Sequence, residues 1–245
     1  MNDCKFFAYG RTEALAYTVK HLVSLGYSFT ETPDPDVTHL LLPVPSFDAD
    51  GKVKGADTLE EILKRCSKDI TIIGGNLRHP LLYSYQKTDL LTDPLYLAEN
   101  ASITAYCAVM RGMQYLPVTL KDCKVLVIGW GRIGKCLAHL LKQLGCDVTV
   151  AARKAEDRAM AYALGYKVTD TKLNQIEDYR LIYNTAPSLL LSHCAPNVVK
   201  LDLASTPGIV CDDVYWERGL PNRDAPESSG ILIADTVHRL LSLKE

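Results

Sequence analysis

One stretch constrains the fold more than any other. Lys124-Val125-Leu126-Val127-Ile128 is an apolar, β-branched run that passes directly into Gly129-Trp130-Gly131-Arg132-Ile133-Gly134. The spacing predicts a helix over 135–144, with Leu137, Leu140 and Leu141 on its apolar face and Gly145 after its end. Cys146-Asp147-Val148-Thr149-Val150 then reads as a second strand. Strand, three-glycine turn, helix and strand form the context that a dinucleotide-binding turn requires. Gly129 permits the tight turn, Gly131 lets the backbone approach a pyrophosphate, and Gly134 lets helix and strand pack closely. The free N–H groups at the helix start face the phosphates. We therefore read Gly129, Trp130, Gly131, Arg132, Ile133 and Gly134 as cofactor-binding, with Trp130 also suited to plain packing.

The end of the second strand bears on the coenzyme. An NAD site usually carries an Asp or Glu there, to accept from the ribose 2′-hydroxyl. Here the chain reads Val150-Ala151-Ala152-Arg153-Lys154, with no carboxylate. Two cations suit a 2′-phosphate, which an Arg grips through two parallel hydrogen bonds. NADP is the coenzyme expected, NAD the alternative, and Arg153 and Lys154 join the cofactor set.

Around this unit, short apolar runs alternate with helix-like stretches, the pattern of an α/β fold with parallel sheets. Toward the start stand the strand Lys5-Phe6-Phe7-Ala8-Tyr9 and a helix over about 12–25, with Thr12 as its N-cap. The strand His39-Leu40-Leu41-Leu42, a helix over 59–66 and the strand Ile70-Thr71-Ile72-Ile73 follow. That makes about four strands. A helix is expected over 100–115, ended by Pro117. The fold class expected is α/β: a C-terminal Rossmann-type parallel sheet domain, with its connecting helix, over 100–245, and a smaller N-terminal flavodoxin-like α/β domain over 1–99, with a cleft between them.

Ligands of open α/β sheets bind beyond the carboxyl ends of the strands. Two further strands end in Asn184-Thr185-Ala186-Pro187 and in Asp202-Leu203-Ala204-Ser205-Thr206-Pro207-Gly208. Asn184 and Asp202 are thus catalytic candidates, and Thr185, Ala186, Pro187, Leu203, Ala204 and Ser205 cofactor-binding ones. Local turn bonding is the competing reading for Asn184 and Asp202. Arg11, just past the first strand, is the candidate for a substrate carboxylate, and Thr104, on the connecting helix, a second candidate for substrate contact. Ser46, Asn76, Arg78 and His79 are weaker candidates at strand ends. His193 and His238 read as structural, and Trp216, at helical spacing with Val214, as core.

Composition narrows the function classes. Lys and Arg number 27 against 29 Asp and Glu, a net charge of −2, so no basic field draws nucleic acid or a membrane surface. No apolar run approaches the ~18 residues of a membrane span, and the first residues lack the pattern of a signal peptide. The eight cysteines form no CxxC pair, so reduced thiols in a cytoplasmic protein are expected and no metal site.

The second half is similar to the family of dipicolinate synthase A-type subunits. The likeness rests on 127–135, Val150-Ala151-Ala152-Arg153, Asn184-Thr185-Ala186-Pro187-Ser188, 201–208, Gly219-Leu220-Pro221 and Ala225-Pro226. The first half matches more thinly, through Gly10-Arg11, Leu42-Pro43-Val44, Gly74 and Asn100 with Thr104. The resemblance implies pyridine-nucleotide-linked oxidation of a dihydrodipicolinate-type cyclic dicarboxylate to dipicolinate, by hydride transfer from a ring carbon and loss of a proton. It also implies, as partner, the flavoprotein-like second component of dipicolinate synthase, and a sporulating bacterial cell as the setting; a homo-oligomer is expected. The chain departs from the family's pattern at Tyr106, where a Glu is usual, at Asn222, where Gly is usual, and at Glu227, where Lys is usual. A non-catalytic NADP-binding or regulatory protein is the alternative, as is an NADP-linked reductase of another small carboxylate. D-2-hydroxyacid dehydrogenases share the two-domain plan. This chain carries Glu227 in the place of their His, and no Arg in Asp202-Leu203-Ala204-Ser205. Shikimate dehydrogenases share an Asn-x-x-Pro-like turn and an Arg after the second strand, but their lysine-bearing motif is missing.

Overall fold

The computed structural model describes residues 4–173, 175–192 and 195–243. The chain forms two compact units, one of Met1–Asn100 with Pro221–Glu245 and one of Ala101–Leu220.

In the first unit, β1 (Lys5–Ala8) leads to α1 (Glu13–Ser24), β2 (Ser28–Phe29), β3 (His39–Leu41), α2 (Leu59–Arg65), β4 (Thr71–Gly74) and β5 (Gln86–Asp89). α1 starts as the sequence predicts: Thr12 accepts a hydrogen bond from the Leu15 N–H at 3.2 Å. The sheet has five strands rather than four, all parallel, in the order β2-β1-β3-β4-β5. That is the flavodoxin-like order. The unforeseen strands are short or polar: β2 has two residues, and β5 reads Gln-Lys-Thr-Asp at the sheet edge. Phe7, Leu40, Leu42, Ile70 and Ile72 form part of one buried core.

Helix α3 (Pro94–Tyr115) begins six residues earlier than the apolar pattern suggests. Asp93 accepts from the Tyr96 N–H at 2.7 Å, an N-cap just before a proline at the first helical position.

The second unit contains β6 (Lys124–Ile128), α4 (Arg132–Gln143), β7 (Asp147–Ala151), α5 (Ala155–Ala163), β8 (Lys167–Thr169), β9 (Leu181–Asn184), β10 (Val199–Asp202) and β11 (Val214–Trp216). All pairings are parallel and the order is β11-β10-β9-β6-β7-β8. Counted within this unit, the order is 6-5-4-1-2-3, the Rossmann arrangement. Tyr183, fully buried, donates to the Ala108 carbonyl of α3 at 3.0 Å, and its hydroxyl occupies the space a side chain at Gly112 would need. Trp216 is not a core residue at helical spacing. It lies on the edge strand β11 and is half exposed.

The chain then returns to the first unit through α6 (Leu220–Asp224) and α7 (Pro226–Ser242). Residues 221–243 therefore pack with the N-terminal domain, not with the C-terminal one as the sequence suggests. The first unit is consequently not the smaller of the two. Gly230 accounts for the fit: a Cβ there would come within 2.5 Å of the Ala14 carbonyl and of Tyr17 on α1. Thr18 and His21 of α1 bond to Gly230 and Asp235 of α7, and His238 bonds to Tyr27, a structural role as expected. Among the described residues, no helix is long and apolar enough to cross a membrane.

Candidate functional site

The strand order of the second sheet reverses between β6 and β9, and the glycine turn sits at the carboxyl end of β6. Gly129 has φ +105°, a conformation open to glycine and strained for other residues. A Cβ at Gly134 would strike the Gly129 carbonyl oxygen, so turn and helix approach as closely as backbones allow. A Cβ at Gly131 would meet nothing within 4 Å. Gly131 is the N-cap of α4, and no side chain caps the N–H groups of that first turn. A backbone lobe with free donors and open space in front fits a pyrophosphate.

That space is a pocket of about 420 Å³. Its wall includes Gly129, Trp130 and Gly131 of the turn, Ala151 to Lys154 at the end of β7, Asp157 of α5, and Ala186 to Ser188 after β9. Of the expected cofactor set, Gly129, Trp130, Gly131, Arg153, Lys154, Ala186 and Pro187 come together on this wall. Gly134 and Thr185 stand behind it. Thr185 donates through its hydroxyl to the Ile128 carbonyl at 2.9 Å and abuts Gly129, fixing the turn. Arg132 and Ile133 open α4 without lining the pocket. Asp157, Thr171, Ser188 and Leu190 also line it and are not anticipated from the sequence. The Asn184-to-Ser188 stretch points to Ser188, whereas Asp157 and Thr171 reach the wall only through the packing of α5 and β8.

At the end of β7, Arg158 donates 2.8 Å hydrogen bonds to the carbonyls of Ala152 and Arg153. It fixes this backbone while the Arg153 side chain stays exposed. Lys154 forms a loose 3.7 Å ion pair with Glu156, whereas Arg153 meets no carboxylate among the described residues.

Asn184 and Asp202 do not offer free catalytic groups. Asp202 is 1% exposed, and its carboxylate accepts four hydrogen bonds. One oxygen takes the Asn184 amide at 2.9 Å and the Ala204 N–H at 3.0 Å; the other takes the Gly208 and Ile209 N–H groups at 2.6 and 2.9 Å. Asn184 also donates to the Ala186 carbonyl and accepts from the Ala186 N–H. Every lone pair of the acid is spent on the two turns, so local bonding is the role the structure gives both residues. Leu203, Ala204 and Ser205, expected at the cofactor, lie outside the pocket wall. Their loop is held from β11: Trp216 donates to the Ala204 carbonyl at 3.1 Å, and Arg218, stacked on Trp216, donates to that of Ser205 at 2.6 Å.

In the first unit, Arg11 is exposed beyond β1 and lines, with Gly10, Thr12 and Glu13, a shallow cavity of about 610 Å³ at the start of α1. Its own N–H is fixed to the Lys54 carbonyl at 2.9 Å. Thr104 is buried on α3. Ser46 is structural: fully buried, it donates to the Pro43 carbonyl and accepts from the Gly75 N–H. Asp89, which the sequence does not single out, accepts from the N–H groups of Asn76, Leu77 and Leu91 and so shapes the loop after β4. Asn76 and Arg78 are exposed on that loop, and His79 stacks on Phe47 at 4.6 Å. Asn222 donates to the Val44 carbonyl at 2.7 Å and accepts from Ser229, a tie that glycine at this position lacks. Tyr106 and Glu227 are exposed. His193 lies outside the described residues. Among the described residues, no three His, Cys, Asp or Glu side chains group to hold a metal.

Comparison with known proteins agrees with this geometry. Residues 95–188 match the D-isomer specific 2-hydroxyacid dehydrogenase NAD binding domain. The chain is 26% identical to the dipicolinate synthase A-type subunit of Bacillus subtilis, over 86% of this chain and 80% of that one. It is also 26% identical to shikimate dehydrogenase (NADP(+)) of Clostridium botulinum, over 62% of this chain and 68% of that one. In fold it is similar to the crystal structure of the same dipicolinate synthase component from Bacillus halodurans, with a TM-score of 0.85, 20% identity and 98% of each chain covered. The chain is thus similar to the dipicolinate synthase A-type subunit over most of its length, and its residues 95–188 match a dehydrogenase NAD binding domain.

Proposed function

We propose that this protein oxidises a dihydrodipicolinate-type cyclic dicarboxylate to dipicolinate, with NADP as hydride acceptor. The observation that carries the coenzyme choice is the end of β7, where Arg153 is exposed with no carboxylate partner among the described residues and no acid occupies the strand end. The observation that supports the reaction is the likeness to the Bacillus subtilis dipicolinate synthase component across most of both chains.

When bound, the nicotinamide of such a coenzyme accepts hydride from a substrate carbon. The residues named above supply binding and orientation. The first turn of α4 and Gly131 hold the pyrophosphate, and Arg153, supported by Lys154, holds the 2′-phosphate. Thr185 and the Asp202 network keep the loops after β6, β9 and β10 in place. Arg11 is the cation we assign to a substrate carboxylate. The flavoprotein-like second component of the synthase is the partner in this proposal, and the cytoplasm its setting.

The test is dipicolinate absorbance from purified protein, NADP+ and a freshly generated dihydrodipicolinate, with and without that second component. Product formation is expected. No product in either mixture overturns the reaction. In the same preparation Arg153→Ala is expected to weaken NADP+ binding by about 10- to 100-fold, the value of one or two charge-assisted hydrogen bonds. NAD+ affinity is expected to be unchanged. Equal loss for both coenzymes would contradict the assignment of Arg153.

A further inference from the structure

We propose that the groove between α4 and the C-terminal end of α5 is a second ligand site in the nucleotide-binding unit, one that takes a small aromatic carboxylate. It encloses about 750 Å³, within the range of roughly 300–1,000 Å³ typical of small-molecule sites. Its wall combines two aromatic rings, two apolar side chains and a row of bases.

The rings are Trp130 and Tyr166, which meet edge to face with centroids 5.6 Å apart. The apolar side chains are Met160 and Leu164, exposed at 57% and 56%. Apolar groups left this open beside a concave surface form a face for a flat apolar ligand. The bases are Lys135, His139 and Lys142, spaced four and three residues apart along one face of α4. No carboxylate is among the residues lining the groove.

The three bases are not equivalent. Lys142 is committed: it donates to the carbonyls of Leu164 and Gly165 at 3.0 Å each and lies over Tyr166, so it closes the end of α5 and builds the rim. Lys135 lies 5.8 Å from the Trp130 ring centroid and, like His139, pairs with no acid among the described residues. An ammonium and an imidazole one turn apart, about 6 Å between their Cβ atoms, can both donate to one anion.

Trp130 lines both this groove and the nucleotide pocket. It is 8% exposed, and its indole Nε1 is the buried side-chain donor left without a partner among the described residues. A carboxylate seated between Lys135 and His139 would place its ring against Tyr166 and Met160. A purely apolar ligand leaves the Lys135 ammonium and the His139 ring unmet. An aliphatic anion leaves the aromatic and apolar wall unmet.

The experiment uses the full chain carrying Trp216→Phe, so that Trp130 is the single tryptophan, with a 15N-labelled indole. The probe is 1-naphthoate, and the controls are neutral 1-naphthalenemethanol and acetate. The indole N–H resonance is expected to shift saturably with 1-naphthoate, with at least tenfold weaker response to either control. Lys135→Ala with His139→Ala, both at exposed positions, is expected to weaken 1-naphthoate at least tenfold, and Met160→Glu likewise. Saturating NADPH is expected to leave the naphthoate site available. No shift, equal binding of the neutral control, insensitivity to the base substitutions, or competitive loss with NADPH would each overturn the proposal. The last would place the probe in the nucleotide pocket.

Discussion

Gly134→Ala is expected to weaken pyridine nucleotide binding by about 100-fold and to destabilise the second unit. A Cβ at this position collides with the Gly129 carbonyl oxygen and comes within 3.1 Å of the Thr185 hydroxyl. Both obstacles are fixed, the first being backbone and the second bonded to the Ile128 carbonyl. The turn must therefore move away from α4, and overpacking of this kind costs about 1–3 kcal/mol. Loss of two phosphate hydrogen bonds, each worth about 1.5 kcal/mol, accounts for the drop in affinity. Gly131→Ala separates the two effects. Its Cβ meets nothing in the protein, so the fold is expected to keep its stability while the added methyl takes space in front of the helix. Calorimetric titration with NADP+, paired with urea unfolding, checks both variants. Wild-type affinity in Gly134→Ala would show that close packing of turn and helix is not needed for binding.

Asp202→Asn is expected to cost about 3 kcal/mol of stability. The four donors around this carboxylate come in two pairs, one on each oxygen. An amide replaces one oxygen with an NH2 group, which then faces two N–H donors wherever it is turned. Two buried donors lose their acceptor, each at a cost of about 1–3 kcal/mol. The urea midpoint reads this directly. A variant within about 0.5 kcal/mol of wild type, the span of an ordinary surface change, would show that the carboxylate does not hold the turns.

The same residue shows where the sequence stops being informative. An Asp at a strand end has one appearance in the sequence whether it faces a substrate or its own loop. Only the positions of Ala204, Gly208 and Ile209 decide, and they come from how the loop folds back. Lys200 is a second case: fully buried on β10, it donates at 2.8 Å to the Ala195 and Val198 carbonyls and to Asp213. A charged residue within an apolar run gives no hint of such partners. The glycine turn is legible because each glycine answers a steric demand that no other residue meets. The Rossmann strand β6 and helix α4 follow from that turn. β5 escapes a reading by pattern because a polar edge strand lacks apolar alternation. The start of α3 escapes it because the Asp93-Pro94 signal lies outside the apolar periodicity. The place of α7 is out of reach, since amphipathic periodicity marks a buried face and not the unit against which it is buried.

The central claim is that the turn at 129–134 and the end of β7 hold a pyridine dinucleotide. Backbone amide resonances followed during titration with NADP+ test it most directly. The account predicts saturable shifts concentrated at Gly129, Trp130, Gly131, Arg132 and Ala152 to Lys154. Binding that leaves those amides unmoved, or no binding at millimolar NADP+ and NAD+, would contradict it.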